Sequence, residues 1–122
     1  MASGIASRPL TKPVVIPSAD VWDDFNSNYS EISIVTDSNF VYLSGVLNNF
    51  SASAKSNNYI GKIKEKYRPN GSRVYFPIIS DNNYDVCGHA ILNGGTFRAF
   101  YIYPSRSIND ETIQFSIVYP IY

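Results

Sequence analysis

From position 113 to 119 every second residue is large and apolar: Ile113, Phe115, Ile117 and Tyr119, with Gln114, Ser116 and Val118 between them. A period of two puts the first set on one face of an extended strand, so this terminal segment should bury that face. Phe40-Val-Tyr-Leu-Ser-Gly-Val-Leu47 has the same β-branched and aromatic make-up and lies between the turn formers Asp37-Ser-Asn39 and Asn48-Asn49, which predicts a second strand. Arg73-Val-Tyr-Phe-Pro-Ile-Ile79 repeats that composition. Its Pro77 has no amide donor, which assigns the strand to an edge, a bulge or a strand start and leaves it open on at least one side there. Residues 86–92 and 96–103 flank Asn93-Gly94-Gly95, where Asn-Gly supplies the positive φ of a tight hairpin. Weaker strands are expected at 31–35 and 59–63. One helical turn is conceivable in Asp20-Val-Trp-Asp-Asp-Phe25 after Ser18, but no region keeps a 3.6-residue period and no internal repeat is evident. Seven or so short strands separated by Gly, Asn, Ser and Pro predict an all-β fold, an antiparallel β-sandwich or β-barrel.

The 122 residues suffice for one such core and not for two. Residues 1–18 carry Pro9, Pro13 and Pro17 among Ser, Thr and Lys; they read as an extended leader or linker, with a single domain over 19–122. Ten basic and ten acidic residues cancel, so the charge that a phosphate backbone or an anionic membrane attracts is missing, and neither nucleic acid nor membrane insertion is expected. The N-terminus has no basic segment followed by an apolar run, so a soluble chain without a secretion signal is expected. A surface low in charge and rich in Asn, Ser and Tyr suits neutral partners, sugars among them. The single cysteine, Cys87, excludes an intrachain disulfide and a cysteine-cluster zinc site.

Four ordered elements resemble the C-terminal heads of siphophage receptor-binding and baseplate proteins, the lactococcal ones included. Trp22 and a polar stretch lead to Val41-Tyr-Leu-Ser-Gly-Val46, similar to the "VxLxG" strand of those heads. Ile60-Gly-Lys-Ile63 followed by Tyr67-Arg-Pro69 resembles their "Ile…Leu-Pro-x-x-Tyr-Arg-Pro" turn, with Lys64 and Glu65 in place of the Leu-Pro-like pair. Val74-Tyr-Phe-Pro77 and the hairpin from Gly88 to Phe97 follow, and Phe115-Ser-Ile-Val-Tyr-Pro-Ile121 resembles the closing "YPI" strand. The resemblance runs from Trp22 to the C-terminus. It implies an all-β head domain that assembles as a homotrimer at the distal tail or baseplate of a virion. Such a head would bind host cell-wall polysaccharide and contact other phage baseplate or tail proteins. The long shoulder and neck of many such proteins is missing, so the chain would be an excised head or a compact relative.

Several residues are candidates for the saccharide site. Trp22 beside Asp23 offers an aromatic face for a pyranose and a carboxylate for its hydroxyls; the competing reading makes Trp22 a core plug. His89 lies two residues from Cys87, on the same strand face, so a Cys–His nucleophilic pair is geometrically conceivable; packing or sugar binding suits His89 better. The polar loop Asp81-Asn-Asn-Tyr-Asp85 places Asp81, Asn83, Tyr84 and Asp85 where recognition loops sit, or forms an ordinary solvated turn. By the resemblance, Arg98 and Arg106 could present guanidinium groups to a phosphate-bearing saccharide. The acidic trio Asp20, Asp23 and Asp24 has too few ligands for calcium; no metal and no cofactor are expected. Three Glu in the whole chain, no serine nucleophile turn and no phosphate-cradling glycine loop leave enzymatic chemistry without a constellation.

Overall fold

The structure, a computed structural model, describes residues 14–26, 32–36 and 39–121. In chain order the strands are β1 (Val14–Ile16), β2 (Trp22–Phe25), β3 (Ile32–Thr36), β4 (Phe40–Ala52), β5 (Asn58–Ile63), β6 (Arg73–Ser80), β7 (Asp85–Asn93), β8 (Ala99–Pro104) and β9 (Ile108–Pro120). A four-residue helix α1 (Ser18–Val21) precedes β2, and a 3-10 turn (Glu65–Tyr67) follows β5. All pairings are antiparallel, in the order β1-β3-β4-β9-β6-β7-β8-β5-β2, and the sheet curls into a half-barrel.

Two features bend it. The long pair β4 and β9 loses register between Leu47 and Phe50 and again before Ala52, where Asn49 and Asp110 both take positive φ; such bulges kink and twist a strand pair. β6 meets β9 only through Ile79 and Ser80, so the sheet folds over along that short seam. Its outer edges, β1 and β2, are joined by α1, which advances only about 6 Å. At its end Val21 joins the core with no exposed surface.

The core lies between the two halves. Val41, Leu43, Leu47, Phe50, Ile113 and Tyr119 come from β4 and β9, and Phe76, Ile78, Leu92, Phe100 and Ile102 come from the facing strands. The rings of Phe76, Phe100 and Phe115 meet in a triangle with centroids 5.2–5.8 Å apart, which ties β6, β8 and β9 together. The buried Tyr119 hydroxyl donates to the Tyr67 carbonyl at 2.7 Å, and burial pushes its pKa up.

The all-β antiparallel expectation holds, with nine strands among the described residues. The weaker strands expected at 31–35 and 59–63 are present as β3 and β5. The terminal strand alternates as expected, although it begins earlier, at Ile108. Pro77 also behaves as expected: it pairs with His89 on one side and has no partner strand on the other.

Four expectations are corrected. Val14–Ile16 is no leader, because β1 pairs with β3 through three residues and Ile16 packs on the core; the rest of the expected leader lies outside the described residues. The helical turn ends at Val21, and Trp22–Phe25 is strand because it pairs with β5. Asn48-Asn49 forms a bulge inside β4 in place of a turn. The β7–β8 hairpin closes through five residues, 94–98, with positive φ at Gly95 and Arg98 and none at Asn93. A five-residue loop suits the backbone of Gly94, which is held by the Ser72 carbonyl at 2.8 Å.

Candidate functional site

The outer face of β6, β7, β8 and β5 carries a ribbon of aromatic rings. Strand register aligns Tyr75, Ile91, Tyr101 and Tyr59 in one line across the four strands, and Pro77, His89 and Tyr103 in a parallel line. Because side chains alternate, all seven point away from the core residues Phe76, Ala90 and Ile102 between them. Ring centroids lie 5.6 Å apart for Tyr59–Tyr101, 6.3 Å for Tyr101–Tyr103, 5.4 Å for Tyr103–His89 and 6.1 Å for His89–Tyr75. His89 and Tyr103 are nearly parallel, at 17°. Tyr75 keeps 57% of its surface exposed and Tyr59 keeps 37%.

Charged groups stand at the margins of the ribbon. The Tyr59 hydroxyl donates to Asp24 Oδ2 at 2.8 Å; burial, with this bond, pushes the phenol up to about 12. At the opposite end Arg73 Nη1 donates to the Tyr75 hydroxyl at 3.3 Å. A cavity of about 360 Å³ lies beside the ribbon, lined by Lys55, His89, Tyr103, Pro104 and Ser105. Lys55 is set there by a positive φ and by its backbone N–H, which donates a hydrogen bond to the Pro104 carbonyl at 2.8 Å. The face offers π surfaces, phenol hydroxyls and an imidazole on paired strands.

The same strand geometry removes the Cys–His pair. Register shifts between Ile78 and Ile79, so Cys87 turns into the core while Val86 and His89 both face out. The Cys87 sulfur donates to the Ile78 carbonyl at 3.7 Å, and burial pushes its thiol pKa up. This thiol has neither the exposure nor the base that a nucleophile requires.

The 81–85 loop uses most of its polar groups to hold itself. Asp81 accepts from Gln114, Asn82 Oδ1 accepts from the Thr112 amide at 2.8 Å, and Asn83 Nδ2 donates to Glu111 at 3.0 Å. Asp85 takes two bonds from Arg106, at 2.8 and 2.9 Å, and the Arg106 guanidinium holds its carboxyl below the usual range. These contacts give Asp81, Asn83 and Asp85, expected as ligand groups, a part in holding the turn. Tyr84 differs, being 88% exposed at the tip with positive φ. Arg106, bonded also to Glu111 at 2.8 and 2.9 Å, belongs to the same internal network.

Trp22 is 6% exposed and packs against Phe25 and Phe100 with centroids 5.3 and 6.0 Å away. It is the core plug, and the expectation of an indole face for a sugar fails because β2 turns that face inward. Its Nε1 is buried with no hydrogen-bond partner among the described residues. Asp23 and Arg98 are brought together where β2 meets the β7–β8 loop, with Arg98 Nη1 donating to Asp23 Oδ2 at 2.7 Å and to the Ile63 carbonyl at 3.0 Å. That bond, foremost, lowers the pKa of Asp23. Lys64, Glu65, Lys66 and Arg68 complete a charged cleft of about 620 Å³, where Arg68 pairs with Glu65 at 3.0 Å. The cleft is separate from His89, so the candidates do not form one site. Among the described residues no three His, Cys, Asp or Glu side chains cluster to hold a metal, and no helix is long and apolar enough to cross a membrane.

Of the expected residues only His89 lies in the ribbon. Tyr59, Tyr75, Tyr101, Tyr103 and Lys55 were missed. Their signal was present as Tyr101-Ile-Tyr103 one hairpin partner away from His89, but it needed the five-residue loop to give the right register. Compared with known proteins, the chain matches no family model, no curated protein and no solved structure.

Proposed function

We propose that this domain recognises saccharide through the Tyr59–Tyr101–Tyr103–His89–Tyr75 ribbon, as the head of a phage tail receptor-binding protein that attaches to the host cell wall. The observation that carries the reading is the ribbon itself: five rings held in register on four strands, with Tyr59, Tyr75 and His89 exposed, Tyr101 and Tyr103 half-buried, and no charged residue within it. Aromatic faces cover the apolar side of a sugar ring while phenol and imidazole groups exchange hydrogen bonds with its hydroxyls. The ordered resemblance from Trp22 to Ile121 adds the virion setting, at the distal tail beside other baseplate proteins.

The expected result is that the domain binds cell-wall polysaccharide extracted from its Gram-positive host, and that Tyr103→Ala weakens binding about tenfold, or about 1.4 kcal/mol. A domain that binds neither wall extract nor whole cells would sink the reading, and an unaffected Tyr103→Ala would move the site elsewhere.

A second apolar face favours contact with protein. On the outside of β4 and β9, Tyr42 pairs directly with Val118, which is 56% exposed, and Val46 lies further along the same face. We assign this face to the proposed homotrimer, since exposed apolar cross-strand pairs mark association surfaces. Light scattering is expected to give the mass of three chains, with Val118→Lys shifting it to one. A wild-type chain that is monomeric at all working concentrations would count against trimerisation and favour a structural module whose face meets other phage baseplate or tail proteins.

A further inference from the structure

We infer that the ribbon is built for an extended stretch of neutral glycan about three sugars long, laid across the strands, and not for one terminal sugar. The inference rests on the saccharide reading above. Four neighbouring strands span about 14 Å at the normal inter-strand spacing, and the ribbon occupies that whole width, from Tyr75 on β6 to Tyr59 on β5. The three ring-to-ring steps that cross strands, Tyr75–His89, His89–Tyr103 and Tyr101–Tyr59, are 5.4–6.1 Å, close to the distance between successive rings of an extended sugar chain, while the Tyr101–Tyr103 step runs along β8. The surface is a shallow face rather than a deep hole, and a chain can enter and leave it at both ends.

Charge placement supports a neutral occupant. Within the two lines the side chains are Tyr, His, Ile and Pro, whereas the charged groups stand outside them: Lys55 on the adjoining cavity, and Asp24 and Arg73 at opposite ends, each bonded to the terminal tyrosine's hydroxyl. A carboxylate at one end accepts sugar hydroxyl hydrogens and a guanidinium at the other donates, so the two ends differ and would select one direction of the chain. The 360 Å³ cavity beside Tyr103 and His89 lies off the middle of the line, where it fits a branch from the central sugar. Because every ring stands on a paired strand, little ordering is lost when a long ligand binds.

The test separates this inference from the reading beneath it. Size-graded fragments of linear neutral polysaccharides, one to six sugars long and including β-1,4-glucan, chitin, mannan and rhamnan series, are titrated into the intact chain alongside host wall extract. In a series that binds, affinity is expected to rise at least about tenfold from one sugar to three and then level off. Tyr59→Ala and Tyr75→Ala, at the two ends, are each expected to lower three-sugar affinity several-fold and to make the rise stop at two sugars. A single sugar that binds as tightly as the trimer, with both end variants silent, overturns the extended site and leaves saccharide recognition at the cavity standing. If neither fragments nor wall extract bind, the saccharide reading itself falls, and the inference with it.

Discussion

Replacing Arg106 by alanine is expected to lower the melting temperature by on the order of 10 °C, the largest effect on stability we foresee for a side chain outside the core. The Glu111 carboxylate, with 8% of its side chain exposed, is held by Arg106, by the Ser80 hydroxyl at 2.6 Å, by Asn83 at 3.0 Å and by the Asn109 amide at 3.1 Å. Without Arg106 only neutral donors remain around a nearly buried negative charge. Breaking a fully buried pair costs 3–5 kcal/mol. Arg106 keeps 31% of its side chain exposed, and water screens part of the interaction, so about 3 kcal/mol is expected here. The pH dependence follows from the lowered pKa of Glu111, caused first by Arg106 and then by Ser80, and from the lowered pKa of Asp85, caused first by Arg106. A depressed carboxylate adds stability above its unfolded value, near 4, and loses it as pH falls toward the folded value. The gap between wild type and Arg106→Ala should therefore be widest at neutral pH and narrow below about pH 4. Thermal melts at pH 7 and pH 3 check this; a variant that melts with the wild type at pH 7 would refute it.

The same network shows where sequence reasoning stops. Strand positions were legible because a period of two reports burial locally: Ile113, Phe115 and Tyr119 are buried where the alternation puts them. What alternation cannot report is a register slip. The bulge that turns Cys87 inward and His89 outward, and the one at Asn49, depend on the partner strand, and each reverses an inference drawn from spacing alone. Loop chemistry was misleading for a related reason. Asp81, Asn83 and Asp85 have the composition of a recognition loop, but their partners Gln114, Glu111 and Arg106 lie more than twenty residues away in sequence. The same holds for Trp22, whose packing against Phe100 is set by β2 joining the sheet at its edge. His89 was found because it is the one histidine. Its neighbours Tyr75 and Tyr103 were two among ten tyrosines, and only the pairing of β6, β7 and β8 distinguishes them.

That pairing depends on one backbone contact beside the ribbon, and Gly88→Ala should break it. Gly88 pairs with Ile78 on one side and Pro104 on the other. A methyl group there would collide with the Tyr103 carbonyl oxygen and lie 2.8 Å from Pro104 Cα and 3.1 Å from the Ser105 amide nitrogen. All three are main-chain atoms, so no side-chain rotation relieves the clash and β8 itself must shift. The bond from the Ser105 amide to the Cys87 carbonyl, at 2.9 Å, resists that shift. Overpacking of this kind costs about 1–3 kcal/mol where side chains can yield; against backbone the upper end is expected, about 3 kcal/mol. Gly95→Ala provides the control: its φ of 63° disfavours a side chain, but open space surrounds it, so about 1 kcal/mol should be lost. Denaturant midpoints compare the two directly. The two residues that stack across this strand pair, His89 and Tyr103, flank Gly88 and its contact, so the proposed saccharide binding should weaken in Gly88→Ala together with its stability, whereas Gly95→Ala should leave it unchanged. If Gly88→Ala proves as stable as the wild type, the close approach of β7 to β8 is wrong, and with it the 5.4 Å spacing on which the ribbon's central subsite rests.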